Sequence, residues 1–368
     1  MSRPSVVSGL AENLETRDRL TVALRRAVVL LLVLTACRVE IGPPRQHAPQ
    51  TSDPPQGPSG NVTIYTSMYR PVIEALDPFL AHALPKVHVE WLQAGSEKIA
   101  TRLDAELAAG APRADLVMTS DPLWYDRLWR EGHLLPYASI RALALPRELV
   151  HPEGGFVTAR ISTMVIAYNE RLVKAEAVPH TFAELFSNRW TGRVTMPDPL
   201  GSGTTFTTLS FLVEHYGDSI IEKMRAAHTV SSGGNSTVIT RIESGEHAVG
   251  MVLLENVLIA RKAGSPVEFR IPDEGAVLIP GPIAILKKSA NPLAARAVYD
   301  LMLSEEAQTK IVQGAMHSPF SEVTAPSGAP LVDELLRTHY RWTPKFVTRA
   351  SDEGPQLRKR FAEVMGGS

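Results

Sequence analysis

The residues best suited to hold something are gathered in Asp198-Pro199-Leu200-Gly201-Ser202-Gly203-Thr204-Thr205. A strand is expected just before them, over Gly192-Arg193-Val194-Thr195-Met196. A helix is expected just after, from Thr207 to Tyr216, with Leu209, Leu212 and Val213 on one side. A glycine-bearing turn that ends a strand and opens a helix presents unpaired backbone N–H groups at the positive end of the macrodipole. With the hydroxyls of Ser202, Thr204 and Thr205 beside it, that point suits a phosphate or a carboxylate. The same residues are favoured helix caps, so a cap and an anion site both remain open.

Nothing near this turn adds up to catalysis. Gly201-Ser202-Gly203 is not the five-residue nucleophile elbow, and no histidine spacing stands out as a metal site. The single cysteine, Cys37, lies far from the turn and allows no intramolecular disulfide. A hydrolase built on Ser202 would need a histidine and a carboxylate brought together by the fold. Binding without a cofactor is the expectation, with a ligand-presenting sensor as a further class. The 38 basic and 39 acidic residues leave no electrostatic footprint for nucleic acid.

The elements that must position the turn read as an α/β chain. Asn61 to Ser67, Val87 to Leu92 and Asp115 to Met118 are expected strands. Helices follow each, the first with Val72, Ile73, Leu76, Phe79 and Leu80, the second with Ile99, Leu103 and Leu107, the third with Leu123, Trp124 and Leu128. Such alternation predicts a parallel sheet, whose strand ends are where ligands bind. Thr66-Ser67, Gly95-Ser96 and Thr119-Ser120 each sit at such a hand-over, as caps or as ligand contacts. Thr158 to Asn169 is a long β-rich run that passes between two halves. His228 to Thr237 is a second hydroxyl- and glycine-rich loop before a helix from Val238 to Ser244, and Gly281 to Leu286 is a strand that can return the chain to the first half. The tail from about Leu331 to Met365 is expected to be helical and to pack on the body.

Upstream of the body, Arg25-Arg26, the apolar run Ala27 to Leu34 and Thr35-Ala36-Cys37 have the form of a secretory signal. The run is shorter than the roughly 20 residues a membrane span needs. Leu34-Thr35-Ala36-Cys37 resembles the bacterial lipobox, which implies a lipidated Cys37. Residues 38–60 are rich in Pro, Gly and Gln and read as a disordered tether.

Taken together, Ile64-Tyr65-Thr66-Ser67, Ala94 to Lys98, Ala114 to Val117, Asp198 to Thr205, Glu243 to Gly250 and Ala307-Gln308 resemble the type II periplasmic solute-binding proteins of ABC importers. The similarity runs from about Asn61 to the C-terminus and points to the branch of ferric-ion, 2-aminoethylphosphonate, thiamine and sugar-phosphate binders. It implies a two-lobed periplasmic-binding-protein type II fold with the ligand cleft between lobes. Residues 1–37 are then the signal with its lipobox, 38–60 the tether, 61–160 lobe 1, 161–280 lobe 2, and 281–368 the return to lobe 1 with the C-terminal helices.

The implied ligand is a small anion, a phosphorylated or phosphonate compound. Ser202, Gly203, Thr204 and Thr205 match the family's anion loop, with Ser232 and Asn235 as a second helix-start contact and Thr66, Ser67, Ser96 and Thr119 closing from lobe 1. Glu255 either accepts from ligand hydroxyls or an amine, or simply sits at a favourable helix start. Arg160 pairs either with the anion or within the protein, and His228 belongs to the surface or to packing. The alternative is a ferric-ion carrier. Ferric binders of the branch use an adjacent tyrosine pair, which is missing here, so Tyr65, Tyr69 and Glu255 would have to supply oxygens. The partners implied are an ABC permease and its ATPase. The protein is expected to be a monomer on the periplasmic or cell-surface face, held to a bacterial membrane by its lipid anchor alone.

Overall fold

The structure is a computed structural model that describes residues 57–338 and 343–366. The signal, Cys37 and most of the tether therefore lie outside the described residues. No helix among the described residues is long and apolar enough to cross a membrane.

The first strand, β1 (Gly60–Thr66), leads to α1 (Arg70–Ala83), β2 (Val87–Gln93), α2 (Ser96–Ala108), β3 (Leu116–Met118) and α3 (Pro122–Arg130). Alternation along β1 sends Val62 and Ile64 to one apolar cluster and Tyr65 to another, with the sheet between them. On the first side they meet Leu76 and Leu80 of α1; on the second, Tyr65 meets Ile99 and Leu103 of α2 and Tyr125 and Leu128 of α3. β1 pairs in parallel with β2 and β3, as the alternation predicts.

The long strand β4 (Val157–Asn169) then carries the chain to α4 (Phe182–Leu185), β5 (Val194–Met196), α5 (Gly203–Tyr216), α6 (Ser219–Ala226), β6 (Val230–Ser231), α7 (Asn235–Glu243), β7 (Val249–Leu253), α8 (Leu254–Lys262) and β8 (Val267–Arg270). β9 (Val277–Ile285) returns to α9 (Pro292–Met302), α10 (Glu305–Gln313), α11 (Val332–Thr338) and α12 (Pro344–Gly366). The strand order is β2-β1-β3-β9-β4-β7-β5-β6, with β8 beside β4. The sheet is mixed and not wholly parallel, because β9 runs antiparallel to both β3 and β4. A strand that brings the chain back must run against the strand that took it out.

Register locates the seam between the two lobes. β3 pairs Leu116 with Ile285 and Met118 with Ile283, so its carboxyl end points along β9 toward Pro282. β7 pairs Val249 with Tyr168 and Leu253 with Met164, so its carboxyl end points along β4 toward Thr163. The carboxyl ends of the two half-sheets thus face each other across a neck made of β4 residues 158–163 and β9 residues 278–282, paired with an irregularity between Thr158 and Arg160. In open α/β sheets the crevice outside such ends is the binding position.

The helices after β9 divide. Val298, Met302, Ile311, Val332 and Leu335 join the first lobe's core. Phe346, Ala350 and Phe361 of α12 join the second lobe's, with Phe346 stacked on Phe211 of α5 at 4.5 Å between ring centroids. α12 also reaches the first lobe, where the Ser351 hydroxyl donates to the carbonyl of Leu123 (3.0 Å) and Arg358 pairs with Glu97 (3.0 Å).

Candidate functional site

The neck holds a guanidinium. Arg160 of β4 is 2% exposed, and its stem lies across Gly281 of β9, where a Cβ would come within 2.7 Å of Arg160 Cγ. That close approach is the reason a glycine stands opposite. Arg160 Nη2 donates to Ser67 Oγ (3.0 Å) after β1 and to Ser120 Oγ (2.7 Å) after β3, while Nη1 donates to Met316 Sδ (3.1 Å). Its Nε has no hydrogen-bond partner. Its partners are thus hydroxyls and a thioether, all neutral.

Glu255, in the first turn of α8, comes to the same place from the second lobe. It is 2% exposed, and its Oε1 has no partner. Burial pushes its carboxyl up to about 7, against smaller opposing effects of the Ser162 hydroxyl, backbone N–H groups and the Arg160 charge. Asn235, at the start of α7, accepts from the Leu253 N–H (3.2 Å) and so fixes the β7–α8 corner that carries Glu255. Two further hydroxyl oxygens at the neck and its rim, Thr119 Oγ1 and Thr163 Oγ1, are fully buried without partners. Buried polar atoms are nearly always hydrogen-bonded, and these four are among the buried side-chain atoms left without a partner in the described residues.

Tyr69 closes the flank. Its hydroxyl donates to Asn256 Oδ1 (2.9 Å) across the lobes, and burial, with the Glu255 charge, holds that hydroxyl well above its usual pKa. On the outer side of Tyr69 lies a groove of about 900 Å³ between α1, α8 and the end of α10.

The turn at Asp198–Thr205 behaves differently. Ser202 is the cap of α5 and accepts from the Thr205 N–H (3.4 Å) and the Thr205 hydroxyl (2.9 Å), with Thr204 Oγ1 at 3.1 Å. Gly203 packs directly on the first lobe, since a Cβ there would stand 3.1 Å from Ser96 Cβ and 3.0 Å from Asp121 Cβ. Asp121 is buried there as the cap of α3, and burial, with Glu97 next in effect, raises its carboxyl to about 7. Ser96 Oγ accepts from the Ser120 N–H (3.3 Å). The turn and its facing residues therefore make a lobe-to-lobe contact whose hydroxyls are largely spoken for.

The structure thus brings Ser67, Tyr69 and Glu255 near Arg160, with Thr119 beside Arg160's partner Ser120, and places Ser96, Ser202, Gly203, Thr204 and Thr205 at the lobe-to-lobe contact. Thr66 is at the rim, but its hydroxyl donates to the Met118 carbonyl (2.9 Å) and accepts from the Met68 N–H (3.1 Å). Ser232 is held by Arg241 Nη2 (2.8 Å), and His228 is exposed. Tyr65 lies on the other face of the sheet, where its hydroxyl donates to Glu106 (2.8 Å). Tyr65 and Tyr69 are therefore not brought to one point. No group of three His, Cys, Asp or Glu residues that could hold a metal ion occurs among the described residues.

Asn256, Ser162 and Thr163 are not singled out by sequence, and Ser120 is named at its hand-over but not carried into the candidate ligand set. Ser120 carried the same hand-over signal as Thr119. Arg160 carried a subtler one, a lone charge inside an apolar β-rich run.

Residues 111–337 match the family described as bacterial extracellular solute-binding protein. An uncharacterized protein of Haemophilus influenzae is 30% identical over 145 residues, which is 38% of this chain and 42% of that protein. The match therefore spans less than half the length of that relative. Three solved structures share the fold. Iron-bound HitA from Pseudomonas aeruginosa is 19% identical with a TM-score of 0.73, over 82% of this chain and 99% of that one. AfuA from Actinobacillus pleuropneumoniae, with fructose-6-phosphate bound, is 22% identical with a TM-score of 0.71, over 84% and 100%. The substrate binding protein of an ABC transporter from Agrobacterium tumefaciens is 20% identical with a TM-score of 0.73, over 86% and 96%.

Proposed function

The chain belongs to the bacterial extracellular solute-binding protein family, and from that we propose that it is the binding component of an ABC importer, closing two lobes on a small phosphorylated or phosphonate compound. The observation that carries the ligand class is Arg160, a guanidinium buried at the neck with neutral partners and an open Nε. A buried cation without a counter-charge is costly, and an oxyanion bound beside it turns that cost into charge-assisted hydrogen bonds. Ser67, Ser120, Thr119 and Thr163 add hydroxyls around the same oxyanion. The turn at Ser202–Thr205 and the start of α7 close over it from the second lobe. In this proposal the lobes exchange at residues 160/161 on β4 and 280/281 on β9, so bending at the neck opens the site. The binding of fructose-6-phosphate by AfuA supports a phosphorylated ligand on this fold.

The ferric reading keeps Tyr69 and Glu255 but loses Tyr65, whose hydroxyl is turned to Glu106. A thermal-shift panel of sugar phosphates, glycerol phosphates, phosphonates, thiamine and ferric citrate decides between them. Ligand at a hundred times its Kd adds about 2.7 kcal/mol of stability. Stabilisation by a phosphorylated compound that disappears in Arg160→Ala is the expected result; stabilisation by ferric citrate alone overturns it.

The protein acts as a monomer outside the cytoplasmic membrane, held there through a lipidated Cys37, with residues 38–60 as the tether, which gives way to β1 at Gly60. Cys37→Ser should shift it from the membrane fraction to the soluble one. Unchanged membrane association would count against the anchor.

A further inference from the structure

The C-terminal helix α12 shows a different kind of surface to each lobe. Its period puts Phe346, Ala350, Leu357 and Phe361 on one face, and Ser351, Asp352 and Arg358 on the other. The first face is apolar and belongs to the second lobe. Phe346, Ala350 and Phe361 are buried in that lobe's core, and Leu357 packs against it. Ion pairs of Arg349 with Glu214, and of Arg360 with Asp218 and Glu222, flank this contact.

The second face meets the first lobe mainly through polar groups. The Ser351 hydroxyl donates to the Leu123 carbonyl (3.0 Å), Asp352 pairs with Arg130 (2.9 Å), and Arg358 pairs with Glu97 (3.0 Å). Leu123 also adds its side chain to the second lobe's apolar cluster. The side chains of the Arg130–Asp352 pair are 42% and 56% exposed, and those of Arg358–Glu97 are 28% and 20% exposed. Parting α12 from the second lobe would expose aromatic surface to water. Parting it from the first lobe would mainly open ion pairs that water and salt already weaken. When the neck bends, α12 must leave one lobe, and the first is the one it can leave.

Arg358 is prepared for that role. Its guanidinium carbon lies 3.6 Å from the centre of the Phe206 ring, and its Nη1 donates to the Pro199 carbonyl (3.2 Å), so the second lobe holds it. Its Nη2 is directed to Glu97 of the first lobe (3.0 Å). A cation fixed in advance on one side gives up little freedom on meeting the carboxylate of the other. We infer that α12 is a strap fixed to the second lobe, and that its Arg358–Glu97 and Asp352–Arg130 pairs form a latch holding the two lobes together. This rests on the bending at the neck given above, and not on the class of ligand. The latch biases the lobes toward closure before any solute binds, and so sets part of the apparent affinity for whatever is carried.

Distances between spin labels, measured by double electron–electron resonance on the purified full chain, test this without any solute. The native cysteine is removed by Cys37→Ser. Labels are then placed in pairs at three exposed positions, Glu74→Cys on α1 of the first lobe, Thr240→Cys on α7 of the second, and Lys359→Cys on α12. At low salt the 74/240 pair should show mainly one short separation. Arg358→Ala should raise the fraction at longer separation by about two- to fivefold, the range an exposed ion pair supplies, and Arg130→Ala should do the same. Raising salt to about 1 M, where the Debye length is about 3 Å, should act in the same direction on a chain with both pairs intact. As that fraction grows, the 74/359 separation should lengthen and the 240/359 separation should stay fixed. A 74/240 distribution that neither Arg358→Ala, Arg130→Ala nor salt changes overturns the latch. A 240/359 separation that lengthens instead overturns the strap, since α12 would then travel with the first lobe. If either variant loses its circular-dichroism spectrum, the salt series decides by the same criteria. Failure here leaves the oxyanion reading of Arg160 standing, and failure of the ligand panel leaves the strap standing.

Discussion

Two places in the second lobe face the first, and they differ in one respect. The turn at Ser202–Thr205 is crowded with hydroxyls, yet those hydroxyls bond to one another and cap α5. The corner at Leu253–Glu255 is sparsely polar, yet it leaves a carboxylate oxygen open at the neck, with Arg160 opposite. Residue type alone favours the turn; hydrogen-bond satisfaction favours the neck. A group already paired gains little from a ligand, because binding only exchanges one bond for another. A buried group left open gains the whole of what its burial withheld.

The comparison can be broken most directly at Arg160. Arg160→Ala should weaken binding of a phosphate ester by roughly 100-fold or more, since at least two charge-assisted bonds go with it. Calorimetry on a variant with an unaltered circular-dichroism spectrum checks this. If affinity holds, the anion does not sit at the neck.

The next effect is on stability against pH. The Glu255 carboxyl rises from 4.5 to about 7 in the folded protein. The unfolded chain therefore releases that proton first, and between these values the folded state holds more protons. Stability of the ligand-free protein should fall as pH rises from about 4.5 to 7 and level off above, by about 3 kcal/mol from this group. Asp121, raised from 3.8 to about 7, adds a fall of the same sign. Urea unfolding across this range should show the decline, and Glu255→Gln should make it shallower; a flat profile would mean that Glu255 is not held in its acid form.

Ser202→Ala then tests the turn itself. The loss of the cap should cost about 1 kcal/mol of unfolding free energy, while affinity changes less than about threefold. A drop of 30-fold or more would move the anion from Arg160 to the turn.

The smallest effect is at the flank. Tyr69→Phe removes the bond to Asn256, worth about 1 kcal/mol. The closed form loses a tie beside the outer groove, so ligand should dissociate about fivefold faster with little change in melting temperature. Stopped-flow release rates equal to those of the unaltered protein would show that this bond does not hold the lobes together.

Much of the fold was legible because its signals are local. Strands at Asn61, Val87 and Asp115 alternate or run apolar, the helices between them repeat every three or four residues, and glycines close several of them. Boundaries moved by a few residues, as where α5 starts at Gly203 and not at Thr207. The mixed direction of the sheet was less legible, since it depends on where β9 inserts, between β3 and β4.

The site was legible as a region and not as a set of atoms. Sequence put hydroxyls at the strand ends, and the ends of β1 and β3 do meet at the neck. The bonds that decide which of them are free join residues far apart in the chain. Arg160 reaches Ser67 across 93 residues and Ser120 across 40. Tyr69 reaches Asn256 across 187.

The sequence by itself therefore determined the two α/β halves, the long strand that links them and the polar character of the facing strand ends, because periodicity and turn chemistry act over a few residues. Only the tertiary structure decided that Ser202 is spent as a cap, that Tyr65 turns away from Tyr69, and that Arg160 and Glu255 are buried within each other's electrostatic reach without forming an ion pair. Burial and hydrogen-bond satisfaction are properties of surroundings assembled from distant segments, and no short stretch of chain contains them.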